Sequence, residues 1–344
     1  GAGGVFTLFG YLVIPHALGV LVQSPEVREV ATGYLNYRLL GITSMAVTFS
    51  FKAFFDGIGK THVHMVASVI MNVINVVLCI IFIFGKFGAP AMGMAGAGLA
   101  GAVSSWVGLL VMVAWAGLSH YRATFRPFSM GGYSRELLGR ILRLSVPSAV
   151  ATIAVMSGFM LFAMIVSRLD SMMHSSLIAP DCPGGKPEAV NGAATTVIVG
   201  VLKLTFTACL AFGTSTATLV SQCLGSGKTK EAEEFGWTSV KLGLVIFGVV
   251  GLLEGLILTN PILHLVTKSS AVFAAAQMPM RMMGLATPLI AVGMILTQAL
   301  FGAGNTRFVM FVELILHFCC LVPLAWLLGI TFGFGLVGIW SAAL

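Results

Sequence analysis

The chain has 344 residues, 58% of them hydrophobic and only 9% charged, where a soluble protein has about a quarter charged. No soluble core absorbs that much apolar surface, so the bilayer is the solvent and the length counts in membrane spans of about 20 residues. The net charge of +7 is spread over short loops between apolar runs, which argues against nucleic-acid binding and makes these charges orientation signals.

Ten apolar segments follow in chain order, at about 4–22, 33–58, 64–85, 92–117, 143–168, 191–222, 237–258, 274–302, 308–330 and 334–344. The first opens on Gly-Ala-Gly-Gly without a basic n-region, which separates it from a signal peptide. The windows 87–121, 144–167, 282–306 and 314–344 carry no charge, and each is long enough for a spanning helix. β-barrel spans would be about ten residues of strict alternation, a pattern not present. Of six Cys, Cys79, Cys209, Cys223, Cys319 and Cys320 lie in or at the edge of apolar spans and Cys182 is alone in a loop. With no CxxC and no Cys/His cluster, they read as buried thiols acting as small apolar residues.

Segments that alternate sides divide the loops into two sets. One holds Lys60, Arg122, Arg126, Arg135, Arg140, Arg143, Lys228, Lys230 and Arg307; the other holds Arg28, Lys86, Arg168, Lys186 and Lys268. Nine against five places the first set in the cytoplasm. The stretch 118–143 is then a cytoplasmic linker between a bundle at 1–117 and a second at 144–344, and 169–190 is a turn-rich outer loop.

The stretch 38–61, RLLGITSMAVTFSFKAFFDGIGKT, returns about 243 residues later at 281–306, RMMGLATPLIAVGMILTQALFGAGNT. Arg281 and Gly284 match Arg38 and Gly41; Gly302, Gly304 and Thr306 match Gly57, Gly59 and Thr61. Gly93 and Gly96 echo in Gly335 and Gly338, and Leu21-Val22 in Leu265-Val266. A repeat six spans long keeps both copies in one orientation, as in transporters built from parallel repeats. Its register predicts two further spans upstream of residue 1 and some 16 further residues in the last helix, so both ends read as cut from a twelve-span protein. Residues 1–344 alone are accordingly expected not to transport.

Several of these stretches resemble the multidrug and toxic compound extrusion (MATE) family. Phe54–Thr61 resembles the end of its fourth helix, and Phe84-Gly85 with Pro90–Ala100 its fifth-to-sixth helix junction. Leu144–Pro147 resembles the start of the seventh helix, Gly213–Ala232 the eighth helix and its loop, and Leu300–Thr306 the end of the tenth. The resemblance covers essentially the whole chain, from the third helix into the twelfth. It implies an all-α polytopic membrane protein of two pseudo-symmetric six-helix bundles, the N-terminal one incomplete, facing each other across a central cavity. It also implies export of amphipathic, often cationic compounds against H+ or Na+, by rocking of one bundle against the other. The chain departs from the family at the coupling carboxylates. The fifth-helix Asn–Asp pair reads Asn75 and Cys79, the seventh-helix Glu falls near Val155 and Met156, and the tenth-helix Asp falls on Ile290.

Charges at bilayer depth are costly, so each is a candidate functional group. Lys203 stands about 12 residues into its segment, where it either titrates during transport or pairs with a carboxylate. Glu313 and His317, four apart, either relay a proton or form a structural hydrogen bond. Asn72, Asn75 and Gln298 complete the candidate substrate and ion pathway. Lys52 and Asp56 read as an i,i+4 pair with a snorkelling Lys, and Glu254 as an interfacial residue near a helix end. Arg38 and Arg281 read as interface anchors with a shared packing or gating role, joined as gating candidates by Gly57, Gly59, Gly302 and Gly304. Pro288, half way along its span, is the hinge candidate, whereas Pro147 is near a helix start, where Pro is ordinary. Met156, Met160, Met294 and Phe159 either line a plastic cavity or face lipid.

Three readings follow: a secondary-active exporter of the MATE type, a lipid-linked saccharide flippase of the same superfamily, and a non-transporting membrane scaffold or receptor. No nucleophile–base set, metal cluster or phosphate loop supports an enzyme. The expected partners are membrane lipid and a small organic molecule, with no nucleic acid, no cofactor beyond the coupling ion, and a monomeric protein. The expected location is an integral, multi-pass one, in the plasma membrane if the source is a prokaryote.

Overall fold

The computed structural model describes residues 2–21, 25–118, 134–174 and 189–344. Cys182, Lys186, Arg122 and Arg126 lie outside the described residues, as do Val22 and most of the outer loop. The described residues are helical, with no strand among them, and they fall into two units, Gly1–Tyr133 and Ser134–Leu344. Seven helices are long and apolar enough to cross a membrane, and an eighth if one bent pair is a single span.

The first unit contains α1 (Ala2–Leu21), α2 (Pro25–Leu39), α3 (Ile42–Gly57), α4 (His62–Phe84) and α5 (Met94–Ala116). The segment read as one helix at 33–58 is two, bent by 45° between α2 and α3. The bend has a visible cause in α5. A side chain at Gly41 would press on the Ala102 backbone at 3.2 Å, and Trp106 Nε1 donates to the Leu40 carbonyl at 3.1 Å. That carbonyl is an acceptor at the break between the helices, where the helical ladder is interrupted. Further along α5, Gly98 lies directly against the Tyr34 carbonyl, so α2 and α5 meet backbone to backbone. Phe55, Val63, Ala67, Met112 and Ala116 form the core between α3, α4 and α5.

The second unit contains α6 (Arg135–His174), α7 (Val190–Gly225), α8 (Thr229–Leu252), α9 (Thr259–Val266), α10 (Ser270–Gly302), α11 (Thr306–Leu314), α12 (Val322–Trp326) and α13 (Gly335–Ser341). Three π-helical stretches interrupt it, at Leu253–Ile257, Ile315–Leu321 and Leu327–Thr331. Helix α6 begins at Arg135, inside the stretch read as a linker, so Pro147 stands well inside a helix rather than near its start. Ile198, Leu202, Leu263, Met280 and Ile339 are fully buried in one core cluster. The α7–α10 and α8–α10 seams are closed by glycine. A side chain at Gly302 would lie 2.7 Å from the Ala217 Cα, and one at Gly284 only 2.6 Å from the Gly255 backbone.

Asp170, near the C-terminal end of α6, ties α6 to α7. Its carboxylate accepts from Asn191 N (2.9 Å), Asn191 Nδ2 (2.8 Å) and Gly192 N (2.7 Å). Those amides sit in the first turn of α7, where helical N–H groups have no intrahelical partner and a negative charge is favoured.

Three helix ends share one turn. Gly59, Gly227 and Gly304 have φ of 74°, 77° and 78°. In each the next residue's amide reaches back five positions: Lys60 to Phe55 (2.8 Å), Lys228 to Cys223 (2.9 Å), Asn305 to Leu300 (3.0 Å). This is the glycine-dependent Schellman end. The other matched pair is not equivalent, since Gly57 faces open space while Gly302 is pinned on Ala217. Gly304→Ala is therefore expected to cost about 1 kcal/mol through its left-handed backbone, while Gly57→Ala is neutral or slightly stabilising. Thermal melts of the two variants check the contrast.

Candidate functional site

Helix α11 gives way to a π-helix at Ile315, and the candidate site straddles that join. Glu313 ends the regular helix and His317 lies inside the π stretch. Nδ1 of His317 is 3.0 Å from the Glu313 carbonyl and 3.3 Å from its Oε2. The two side chains are only 7% and 16% exposed, so the pair is largely removed from water. With Nδ1 facing two acceptors, the neutral ring carries its proton on that nitrogen and leaves Nε2 as an acceptor.

Helix α6 supplies the notch for the ring. A side chain at Gly158 would come within 2.5 Å of His317 Cδ2, and Phe159 meets the imidazole edge-on with centroids 6.0 Å apart. Glycine at 158 is thus the condition for His317 to stand there. A glycine-free α6 would push the ring off Glu313. Among the positions singled out in the sequence nothing pointed to Gly158.

The remaining sequence candidates are dispersed. Asn75 Nδ2 donates to Ser104 Oγ on α5 (3.1 Å), and Cys79 lies 3.8 Å from Asn75 Oδ1. Asn72 is exposed and bonds its own helix at the Ser68 carbonyl (2.9 Å). Gln298 packs its stem against Gly213 on α7. Lys203 is exposed on α7, on the face away from buried Leu202 and Thr205, so the carboxylate partner raised as one alternative does not occur among the described residues. Lys52 and Asp56 do form the expected pair, at 2.5 Å. Cys319 and Cys320 are exposed and only Cys209 of the described cysteines is buried, which corrects the reading of all as buried thiols. Met156, Met160 and Phe159 are exposed on α6, and Met294 is half-buried beside Ile295.

Arg38 and Arg281 are both partly buried. Arg38 is half-buried with its guanidinium over Gly101, its Nη1 3.5 Å from Ser105 Oγ and its Nη2 3.9 Å from Met45 Sδ. Arg281 has its Nε buried and unbonded. Pro288 packs against Gly251 of α8, where a side chain would meet its Cδ at 3.3 Å. Glu254 is the residue most undervalued by the sequence. It lies in the π stretch after α8, its Oε1 accepts from Thr205 Oγ1 on α7, and its Oε2 is sealed from solvent without a hydrogen-bond partner. In the first unit, Met45, Thr48, Phe49, His64 and Met71 border a cleft of about 150 Å³. Drug-sized sites begin near about 300 Å³, so this cleft alone does not hold a drug.

The MatE family profile matches residues 1–81 and 188–327. The chain belongs to this family, that of the MATE transporters. Among curated MATE relatives it is 25% identical over 308 residues to the probable multidrug resistance protein NorM of Pasteurella multocida, covering 89% of this chain and 62% of that protein. It is 26% identical to the multidrug resistance protein MdtK of Pectobacterium atrosepticum, covering 90% of this chain and 64% of the relative. The chain thus spans a little under two thirds of these relatives. A solved outward-facing multidrug resistance MATE transporter of the MOP superfamily superposes with a TM-score of 0.83 at 20% identity, covering 99% of this chain and 71% of that one. A variant of the Vibrio cholerae MATE transporter VcmN gives 0.81 at 16% identity, covering 100% and 72%. These solved structures share its all-α fold of two helical repeats, and the chain is a multi-pass integral membrane protein.

Proposed function

We propose that the protein containing this chain is a secondary-active antiporter that exports amphipathic, cationic organic compounds by alternating access, with the proton as coupling ion. The observation that carries this reading is the Glu313–His317 pair, buried within a span at a π-helical irregularity. An ionisable pair inside a span is expensive and marks a proton or ion path by default. Single-turn π irregularities in helices are frequent at functional sites. The curated relatives, named as multidrug resistance proteins, support the substrate class.

An imidazole–carboxylate pair favours H+ over Na+, because a hard cation takes oxygen ligands and the ring offers nitrogen. The apolar residues Val155, Met156 and Ile290 at the family's carboxylate positions leave coupling in this half to other groups. The proton binds His317 Nε2 in one state and leaves it in the other, and the cationic substrate is favoured when the proton has left. Everted vesicles holding the full-length protein test this reading. An imposed proton gradient is expected to collapse partly when a cationic dye is added, and a sodium gradient is not. Dissipation of the sodium gradient alone would refute proton coupling, and no response to either gradient would refute the antiporter.

A further inference from the structure

We propose that Glu254 is a second cation-carrying site of this chain, taking the coupling proton at Oε2. The inference deepens the antiport reading and rests on it. Glu254 is held from three sides. Thr205 Oγ1 of α7 donates to Oε1, and Thr259 Oγ1 of α9 donates to its backbone carbonyl at 2.5 Å. The next residue, Gly255, lies so close to α10 that a side chain there would meet the Arg281 carbonyl at 3.0 Å. What this fixed carboxylate lacks is a partner for Oε2, which is shut off from solvent and unbonded. A buried carboxylate oxygen left without a donor is unfavourable, and a cation bound there removes the deficit.

None of the described ionisable groups on the neighbouring helices bonds this oxygen. Arg281, whose backbone lies against Gly255, forms no ion pair with Glu254 among the described residues, and its own Nε is equally sealed and unbonded. Lys203 on α7 is exposed. His264 on α9 is turned to a ring contact with Phe273, at 4.4 Å between centroids. Cys209 on α7 is a buried thiol and a poor donor. Glu254 Oε2 and Arg281 Nε are thus each sealed without a hydrogen-bond partner.

Its depth makes Glu254 useful. Gly302 packs on Ala217, so the Gly227 and Gly304 turns lie at one end of the second unit. Glu254 follows Thr229 by about 25 residues, or about 38 Å of helix, and so lies at the far end. Glu313 follows the Gly304 turn by about 9 residues, or about 14 Å. Two ionisable sites at different depths allow a cation to be taken up on one side and passed on toward the other.

The test labels the purified full-length protein with dicyclohexylcarbodiimide, which modifies protonated carboxyl groups in apolar surroundings, and maps the product by peptide mass spectrometry. Asp170, saturated with donors, is the internal control and is expected to stay unmodified. Glu254 is expected to be modified, and the modification to fall as pH rises. Thr205→Val, which removes the donor to Oε1 while keeping the shape, is expected to alter the pH response without unfolding the protein. An unmodified Glu254 under conditions that label Glu313, a modification indifferent to pH, or one that falls at fixed pH when Na+ replaces K+, overturns the proton site. Labelling needs no substrate movement, so a responsive Glu254 in a protein that moves no substrate would leave the site standing and refute only the antiport reading.

Discussion

Glu313→Gln in the full-length protein is expected to lower proton-driven efflux of a cationic dye about tenfold or more, with membrane abundance unchanged. Gln keeps the size of the side chain and an oxygen for His317 Nδ1 to donate to. It removes the negative charge beside the ring, on which the proposed proton coupling of the pair rests. The backbone contact from His317 Nδ1 to the Glu313 carbonyl survives, which holds the ring in the Gly158 notch. The defect is therefore in coupling rather than folding, and facilitated dye movement down its own gradient is expected to persist. His317→Gln removes the same function from the other partner. The double variant is expected to be no worse than either single one, because groups that act as a unit are not additive. Dye efflux measured in vesicles at matched protein levels checks all three.

Asp170→Ala is expected to be the most destabilising single change in the second unit, at about 2–3 kcal/mol. The carboxylate accepts three hydrogen bonds from the start of α7, two of them from backbone amides with no other helical partner. Removing it leaves those donors buried and unsatisfied. Asp170→Asn keeps one acceptor oxygen and loses the charge, so it is expected to cost about half as much. The measurement is the thermal midpoint of the purified variants, with cysteine accessibility at Cys209 as a local readout of α7 packing.

The membrane class, the helical segments and the repeat were legible because each rests on a local rule. Uncharged windows longer than a bilayer admit few structures, and Gly59 and Gly304 recur because both turns need a positive φ. The repeat was less informative at Gly57 and Gly302, since identical letters stand in unlike surroundings. Glu313 and His317 were legible as a pair because i,i+4 spacing places them on one face, and the contact is there. What makes it a site was not legible: the π-helix, and the glycine on a helix far away in sequence that admits the ring.

Glu254 was only partly legible for the same reason. Counting from a helix end suggested an interfacial position, and nothing in the sequence marked its π stretch or its donor Thr205, on a helix 49 residues earlier. The packing of Arg38 was not legible because it depends on the small residue opposite its guanidinium, Gly101. Asp170 escaped notice because the apolar run ends before it and its partners lie 21 and 22 residues away. Long-range polar contacts of this kind leave no periodic trace in a sequence.

The central claim is that substrate and proton compete through the Glu313–His317 pair. The most direct measurement is proton release from the solubilised full-length protein, in weakly buffered solution with a pH-reporting dye, when a cationic substrate is added. The account predicts release on substrate addition and its loss in Glu313→Gln, even though the variant still binds substrate. Equal release from wild type and Glu313→Gln would contradict it.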